Sequence, residues 1–266
     1  MEPLERLYSE PSVATAPLPD ALAQVYQGGL ALNGSLLYAN FVSSLDGVVA
    51  LPAPNRSSGG AISGRNEGDR FLMGLLRSFA SCIVVGAGTV RADSGHLWTP
   101  AYIHPPSAPA FADLRRRLGL GAEPELVVVT ARGELDPRER ALEGGSVVYT
   151  TAVGAARLRG RLPAAVSLRE LAGESLSIAE VIADLRSRGH SAILTEGGPS
   201  LIGQIVDARL LDQLFLTLSP VLAGQGEGRL GLVEGLPLAP EAFRWARLLT
   251  AHRAGSHLFL RYEFRR

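Results

Sequence analysis

Lysine is absent from this chain: all 26 basic residues are arginine. A P-loop needs its lysine, a Schiff-base enzyme needs a lysine amine, and a protein kinase needs its strand lysine, so those three chemistries are excluded. An arginine-biased genome accounts for the absence, and the exclusions hold whatever the cause. Cysteine is nearly absent too. Cys82 stands alone, inside the apolar run SCIVVG, and is expected as a buried core residue. No intramolecular disulfide can form, which fits a reducing cytoplasm. The five histidines (His96, His104, His190, His252 and His257) show neither HxxxH nor HxE spacing. No histidine-rich zinc site and no metal is expected, and most of the five are expected at the surface. An excess charge of one sign is also lacking, since 26 acidic residues balance the arginines. Neither nucleic acid nor an anionic membrane is therefore an expected partner. No apolar run approaches the ~18 residues of a membrane helix. The opening MEPLERLYSEP has two early glutamates and no apolar stretch of signal-peptide type.

What is present reads as alternating strands and helices. A length of 266 residues suits one large domain or two small ones. Residues 1–34 are rich in proline, alanine and glycine and are expected as an N-terminal extension with one short helix near 19–27. LLYANFVSS (36–44) predicts a strand. In EGDRFLMGLLRSFA, Phe71, Leu72, Leu75, Leu76 and Phe79 recur at helical spacing. SCIVVGAG, ELVVVT (125–130) and SVVYTT (146–151) are continuous apolar runs of strand length, as in a parallel sheet covered on both faces. Ser177 and Glu180 form a capping box before Val181, Ile182 and Leu185, and Gly189 closes that helix. AILT, a helix over 199–208, the strand LDQLFLTLSPVL and a C-terminal β-hairpin follow. Residues 99–124 hold five prolines and FADLRRRLGL and are expected as a surface insertion with one short helix, either a lid or a passive excursion. The whole predicts one three-layer α/β domain over 35–266 with a mixed, mostly parallel sheet.

Three stretches can carry chemistry. In AILTEGGPSLIGQ, a strand hands two glycines, Gly197 and Gly198, to a helix start. Main-chain N–H groups there are unshielded and the helix dipole favours an anion, so the place suits a phosphate or pyrophosphate. Pro199 fits the first helical turn, and Ser200 adds a hydroxyl. Glu196 does not suit a phosphate and is expected to face a cationic or donor-rich group. The plain alternative is a tight turn. GAGTVRAD (86–93) also follows a strand, but Arg91 occupies the third glycine position of a Rossmann fingerprint. Gly86 and Gly88 still permit close backbone approach, and Thr89 offers a hydroxyl. SSLDG (43–47) places Asp46 after a strand, in what is either a turn or a site. Arg70 and Arg77 share one helix face and either grip a substrate phosphate or form a solvated face.

ANFVSSLDG, DRFLMGLLR, IVVGAGTVRAD and ILTEGGPSLIGQIVDARLLDQLFLTLSPVLAG, in that order, resemble the riboflavin-biosynthesis pyrimidine reductase family. This is the reductase half of the bifunctional deaminase–reductase, with a dihydrofolate-reductase-like fold. The similarity covers about 36–262 and is closer to stand-alone actinobacterial members. It implies an NADPH-dependent cytoplasmic enzyme, a homodimer, that reduces an aminopyrimidine ribosyl phosphate to the ribityl compound. The resemblance gives Gly86, Gly88, Thr89 and Asp93 to the cofactor, with Ser43 against it and Gly197, Gly198, Pro199, Ser200 and Leu201 around its pyrophosphate. Asp46, Glu196 and Arg77 would face substrate, Arg77 near its phosphate. Asp46 and Glu196 are the candidates to donate a proton or steady positive charge. Asn40 stands where the family has a substrate-binding lysine, Ser94-Gly95 replace asparagine-proline, and Pro100 stands near an arginine position. With one cysteine, no H-x-E and no P-C-x-x-C, the deaminase zinc site cannot be built. Arg91 or Arg132 is the expected neighbour of the 2′-phosphate, from charge alone. Two other readings remain open: a reductase of dihydrofolate or another heteroaromatic, and a non-catalytic nucleotide sensor.

Overall fold

The computed structural model describes residues 1–32, 34–52, 58–224 and 226–264. In chain order the elements are β1 (Glu5–Ser9), α1 (Asp20–Tyr26), β2 (Leu36–Ser43), α2 (Ser58–Ile62), α3 (Glu67–Phe79), β3 (Cys82–Gly86) and α4 (Ala87–Ala92). Then come α5 (Pro100–Ile103), α6 (Ala108–Arg117), β4 (Glu125–Thr130), β5 (Ser146–Thr150), α7 (Ala152–Leu158) and β6 (Val166–Glu170). The last third holds α8 (Ile178–Ser187), β7 (Ala192–Thr195), α9 (Pro199–Asp207), β8 (Gln213–Leu218), β9 (Ala246–Ala254) and β10 (His257–Phe264). Ten strands form one sheet in the order β1-β9-β10-β8-β2-β7-β3-β4-β5-β6. From β8 to β6 every neighbouring pair is parallel, while β10, β9 and β1 pair antiparallel.

The apolar runs are buried on both faces because successive side chains alternate. Ile83 and Val85 join the core under α1, α3 and α6, with Phe71, Leu75 and Phe111. Cys82 and Val84 join the core under α8 and α9, with Val181, Leu185, Leu201 and Ile205. The caps follow the sequence. Ser177 Oγ accepts from Glu180 N (3.3 Å), Gly189 has φ +93°, and Asn66 Oδ1 accepts from Asp69 N (3.1 Å) at the start of α3. The β9–β10 hairpin turns at Gly255, whose φ of +57° is left-handed.

Three expectations need correction. Residues 1–34 do more than extend the domain: β1 completes one sheet edge against β9, and Leu4, Leu22, Tyr26 and Leu30 are core residues. The 99–124 segment is neither lid nor excursion. It forms two helices, α5 and α6, and buries Phe111 and Leu114. Gly74 of α3 makes room for the Phe111 ring, which a Cβ would meet at 2.5 Å. Arg115 of α6 donates through Nη1 to the carbonyls of Arg77 (3.1 Å), Ser78 (3.3 Å) and Ala80 (2.8 Å), and through Nε to Gly121 O (2.8 Å). One buried guanidinium thus gathers three carbonyls at the end of α3, of which Arg77 O also accepts from Ala80 N (3.2 Å). The histidines are not surface residues either. His104 and His252 are buried, and His96, His190 and His257 are half-buried. Three of them pack against aromatic rings: His252 lies tilted on Tyr26 (4.6 Å), His96 meets Trp98 edge-on (4.8 Å), and His104 meets Phe71 edge-on (5.8 Å).

Candidate functional site

Because β8, β2, β7, β3 and β4 run parallel, their carboxyl ends lie on one sheet edge. Val84 aligns with Thr195, and Gly86 with Val129, so the loops after β7, β3 and β4 emerge side by side. Neighbouring strands are about 4.8 Å apart. Loops at this edge are where open α/β sheets take ligands.

The two glycine loops face each other there. Thr195 Oγ1 donates to Val84 O (3.0 Å) and accepts from Gly197 N (3.2 Å), which ties the β7 exit to β3. At Gly197 a Cβ would come within 2.3 Å of Leu201 Cδ2, so α9 can begin this tightly only after glycine. Gly198 caps α9 with φ −68° and no side-chain cap, and its missing Cβ would lie 3.5 Å from Thr89 Oγ1. Gly86 caps α4, and a Cβ there would meet nothing nearer than Gly88 N at 4.0 Å. Pro199 and Leu201 are buried in the first turn of α9, whereas Ser200 is exposed. Thr89 and Asp93 begin and close one turn, with Asp93 N donating to Thr89 O (3.0 Å). The mouths are thus lined by main chain and the Thr89 hydroxyl, with the Arg91 guanidinium beside Gly88, a cradle suited to a pyrophosphate.

The SSLDG stretch is a turn, and a tightly held one. Ser44 Oγ accepts from Val48 N (2.9 Å) and donates to Asp46 Oδ1 (2.6 Å). Asp46 also accepts from Ala223 N (3.0 Å) and Gly224 N (2.6 Å), which fastens the loop after β8 to the end of β2. The Ser44 hydroxyl, then the Ala223 amide, hold its pKa down at about 2. At neutral pH Asp46 is an acceptor and a negative charge, and the proton-donor role raised for it does not fit. Ser43 is buried with Oγ donating to Ser44 O (2.8 Å), and Asn40 is buried on β2 beside Phe215 of β8.

Arg77 and Glu196 are brought together, but with each other. Arg77 Nε lies 3.0 and 3.2 Å from the two carboxylate oxygens, and Nη2 lies 2.7 Å from Oε2. The side chains are 1% and 6% exposed. Arg77 Nη1 donates to Leu97 O and Thr99 O (both 3.2 Å), and Nη2 to His96 Nε2 (3.0 Å). Five N–H donors have partners, so in this arrangement Arg77 cannot grip a substrate phosphate, and that expectation is corrected. Arg70, on the same helix, donates to Ile103 O (2.9 Å). What Arg77 does is clamp the loop after α4 to the exit of β7. Because a guanidinium only donates, His96 Nε2 must accept, and the ring proton sits on Nδ1. Sequence reasoning missed His96; no spacing marked it, since its partner lies on a distant helix.

A second buried carboxyl also escaped the sequence. Asp69, in the first turn of α3, is raised to about 6 by burial, against the opposing pull of the Thr217 and Ser63 hydroxyls. Thr217 lies near enough to act on it without hydrogen-bond geometry. The histidines shift oppositely. Burial, then Arg77, lowers His96 to about 3, and burial, then Arg6, lowers His252 to about 4. On acidification from pH 6.5 the unfolded chain protonates both histidines while the fold keeps them neutral, which destabilises the fold. Asp69 works the other way: its contribution is complete below its unfolded pKa of 3.8 and is lost as pH rises through about 6. His104, also lowered by burial, adds to the histidine side, and Glu123, raised by burial, adds to the Asp69 side. The histidines outnumber the raised carboxyls, so stability should fall as pH drops from about 6 to 4. Urea unfolding at pH 6 and 5 checks this; a stability that holds level or rises at pH 5 refutes it.

Among the described residues, no group of three or more His, Cys, Asp or Glu is placed to hold a metal, and no helix is long and apolar enough to cross a membrane. The architecture is that of pyrimidine reductases. A pyrimidine reductase-like protein from Corynebacterium diphtheriae superposes with a TM-score of 0.69 at 21% identity, over 92% of this chain and 99% of that one. The deaminase/5-amino-6-(5-phosphoribosylamino)uracil reductase of Thermotoga maritima gives 0.63 at 20% identity, over 87% of this chain and 57% of that bifunctional one. In sequence, the 2,5-diamino-6-ribosylamino-4(3H)-pyrimidinone 5′-phosphate reductase of Archaeoglobus fulgidus is 22% identical over 190 residues, 71% of this chain and 81% of that protein. The three-layer, mixed-sheet, dihydrofolate-reductase-like fold implied by the resemblance is the fold present. The model of the RibD C-terminal domain matches residues 27–248, and the chain belongs to that family.

Proposed function

We propose that this chain, an oxidoreductase of the riboflavin pathway, uses NADPH to reduce the ribosyl group of an aminopyrimidine ribosyl phosphate to ribityl. The observation that carries the reading is the pair of open glycine mouths on adjacent parallel strands, with Gly198 against Thr89. The dinucleotide's pyrophosphate would lie across Gly86, Gly88 and Thr89 on one side and Gly197, Gly198, Pro199, Ser200 and Leu201 on the other, with Asp93 closing the first loop and Ser43 near the nicotinamide. A bound nicotinamide would supply the hydride chemistry at C1′ of the opened sugar. The chain supplies position and charge. Asp46 keeps a negative charge at the end of β2 that steadies developing positive charge on the substrate. Asn40 presents an amide from the same strand. Glu196 and Arg77 act as positioning residues that hold the cofactor loops in register.

The test is a steady-state assay of NADPH oxidation with the aminopyrimidine ribosyl phosphate, and with dihydrofolate as comparison. Turnover of the first substrate is expected. Turnover of dihydrofolate alone overturns the substrate assignment, and nucleotide binding without turnover of either points to a sensor.

The enzyme is further proposed to act in the cytoplasm as a homodimer. An apolar groove of about 350 Å³ supports the dimer: Ile202, Val206, Leu214 and Phe264 line it and Trp245 is at its rim. Trp245 is 83% exposed, and an exposed aromatic beside an apolar groove marks an interaction surface. Sedimentation equilibrium reads the mass directly.

A further inference from the structure

Beyond β3, the sheet edge carries an arginine nest. The loop after β4 brings Arg132 and Glu134 beside the loop after β3, because Gly86 aligns with Val129. Arg91 of α4 donates to the main-chain oxygen of Glu134. Its other terminal nitrogen lies 3.8 Å from where a Cβ of Gly88 would be, so this guanidinium leans over the glycine mouth. Arg132 holds the Glu134 carboxylate through Nε (2.8 Å) and Nη2 (3.3 Å). Arg157 of α7 stands 3.9 Å from the same carboxylate and donates to Arg132 O (3.3 Å). Three arginines thus converge on one acidic residue, leaving two positive charges in excess. Arg132, Arg157 and Glu134 are 74%, 55% and 41% exposed, so the nest opens to solvent. All three arginines lower the pKa of Glu134, its hydrogen bond with Arg132 most, so the carboxylate is ionised.

The place of the nest gives it a purpose. Along the edge the order is β2, β7, β3, β4. With the nicotinamide at β2 and the pyrophosphate between β7 and β3, the adenosine end comes to β4. That is one strand beyond the pyrophosphate's inner wall, on the order of 5–10 Å. A dianionic phosphate monoester on the adenosine ribose suits three guanidiniums far better than a neutral hydroxyl does. We propose that Arg91, Arg132 and Arg157 receive the 2′-phosphate of NADPH, and that Glu134 is an internal counter-anion which the phosphate displaces. The nest then selects NADPH over NADH, and Glu134 limits how tightly it does so. This rests on the cofactor reading above and adds the residues that choose between the two nucleotides.

The experiment titrates NADPH and NADH separately into the full chain, its Arg132→Gln/Arg157→Gln double variant and its Glu134→Gln variant. Thermal melts of the three proteins establish that each is folded. Losing two charge-assisted contacts should weaken NADPH about tenfold or more and leave NADH within about twofold. Glu134→Gln should do the reverse, tightening NADPH severalfold with NADH unchanged. The NADPH affinity of the unaltered chain should also fall faster with salt than its NADH affinity. Equal binding of both nucleotides, or parallel shifts of both in the variants, overturns the inference and leaves the cofactor reading standing. Failure of the unaltered chain to bind either nucleotide overturns both.

Discussion

Replacing Arg77 with methionine should destabilise the fold by about 3–5 kcal/mol, a large part of what a domain has. The reason lies in what stays behind. The Glu196 side chain is 6% exposed, so without its guanidinium it becomes a buried charge with no cation beside it. Leu97 O, Thr99 O and His96 Nε2 lose their donors at the same time. Glu196→Gln should cost less, since the amide oxygen still accepts from Arg77. Urea unfolding measures all of this; a loss below about 1 kcal/mol for Arg77→Met would mean the pair is not the clamp described. The double change Arg77→Met with Glu196→Leu separates charge from packing. Removing both charges should recover much of the stability, because a buried ion pair is weak evidence of net stabilisation while half of one is harmful. Reductase activity should not return, since the loop after α4 has lost its tie to β7.

Gly198→Val should have the opposite profile, with an intact fold and a closed cofactor mouth. The backbone there is ordinary, with φ −68°, and a Cβ would meet Thr89 Oγ1 at 3.5 Å, a normal contact. Melting should stay within a few degrees of the unaltered chain. The branched side chain would nonetheless fill the gap between the two glycine loops and shield the amides at the start of α9. Losing two charge-assisted contacts to a pyrophosphate at ~1.5 kcal/mol or more each predicts NADPH binding weaker by about a hundredfold. Calorimetric titration reads this, and an affinity within threefold of the unaltered chain would place the dinucleotide elsewhere. Gly197 is a poorer test, because its Cβ would strike Leu201 at 2.3 Å and disturb α9 itself.

Local pattern made most elements legible. The strands β2, β3, β4, β5 and β7 and the helices α3, α8 and α9 have apolar runs or periodicities with caps that act within a few residues. Elements lacking that signature were not legible. In β6, VSLRE offers only two apolar residues, Val166 and Leu168, and lies at a sheet edge, half solvated. In β1, ERLYS is exposed along most of its length and is a strand only because β9 offers it an edge. In the 99–124 segment, proline density suggested a surface insertion with one short helix. The prolines instead start helices, Pro100 and Pro109 each standing in the first turn.

The sequence by itself determined which residues could line a site: glycines where strands meet helices, acids and arginines at strand exits, and no lysine for covalent or P-loop chemistry. These depend on neighbours in the chain, so they can be read along it. Only the tertiary structure decided which of those residues meet. Arg77 and Glu196 are 119 positions apart and pair because α3 packs against β7, where a buried charge must find its opposite. Asp46 likewise lies 177 positions from the amide of Ala223, and that contact helps keep it ionised. Charge and burial at a given atom follow from whatever packs against it, and strand order sets that.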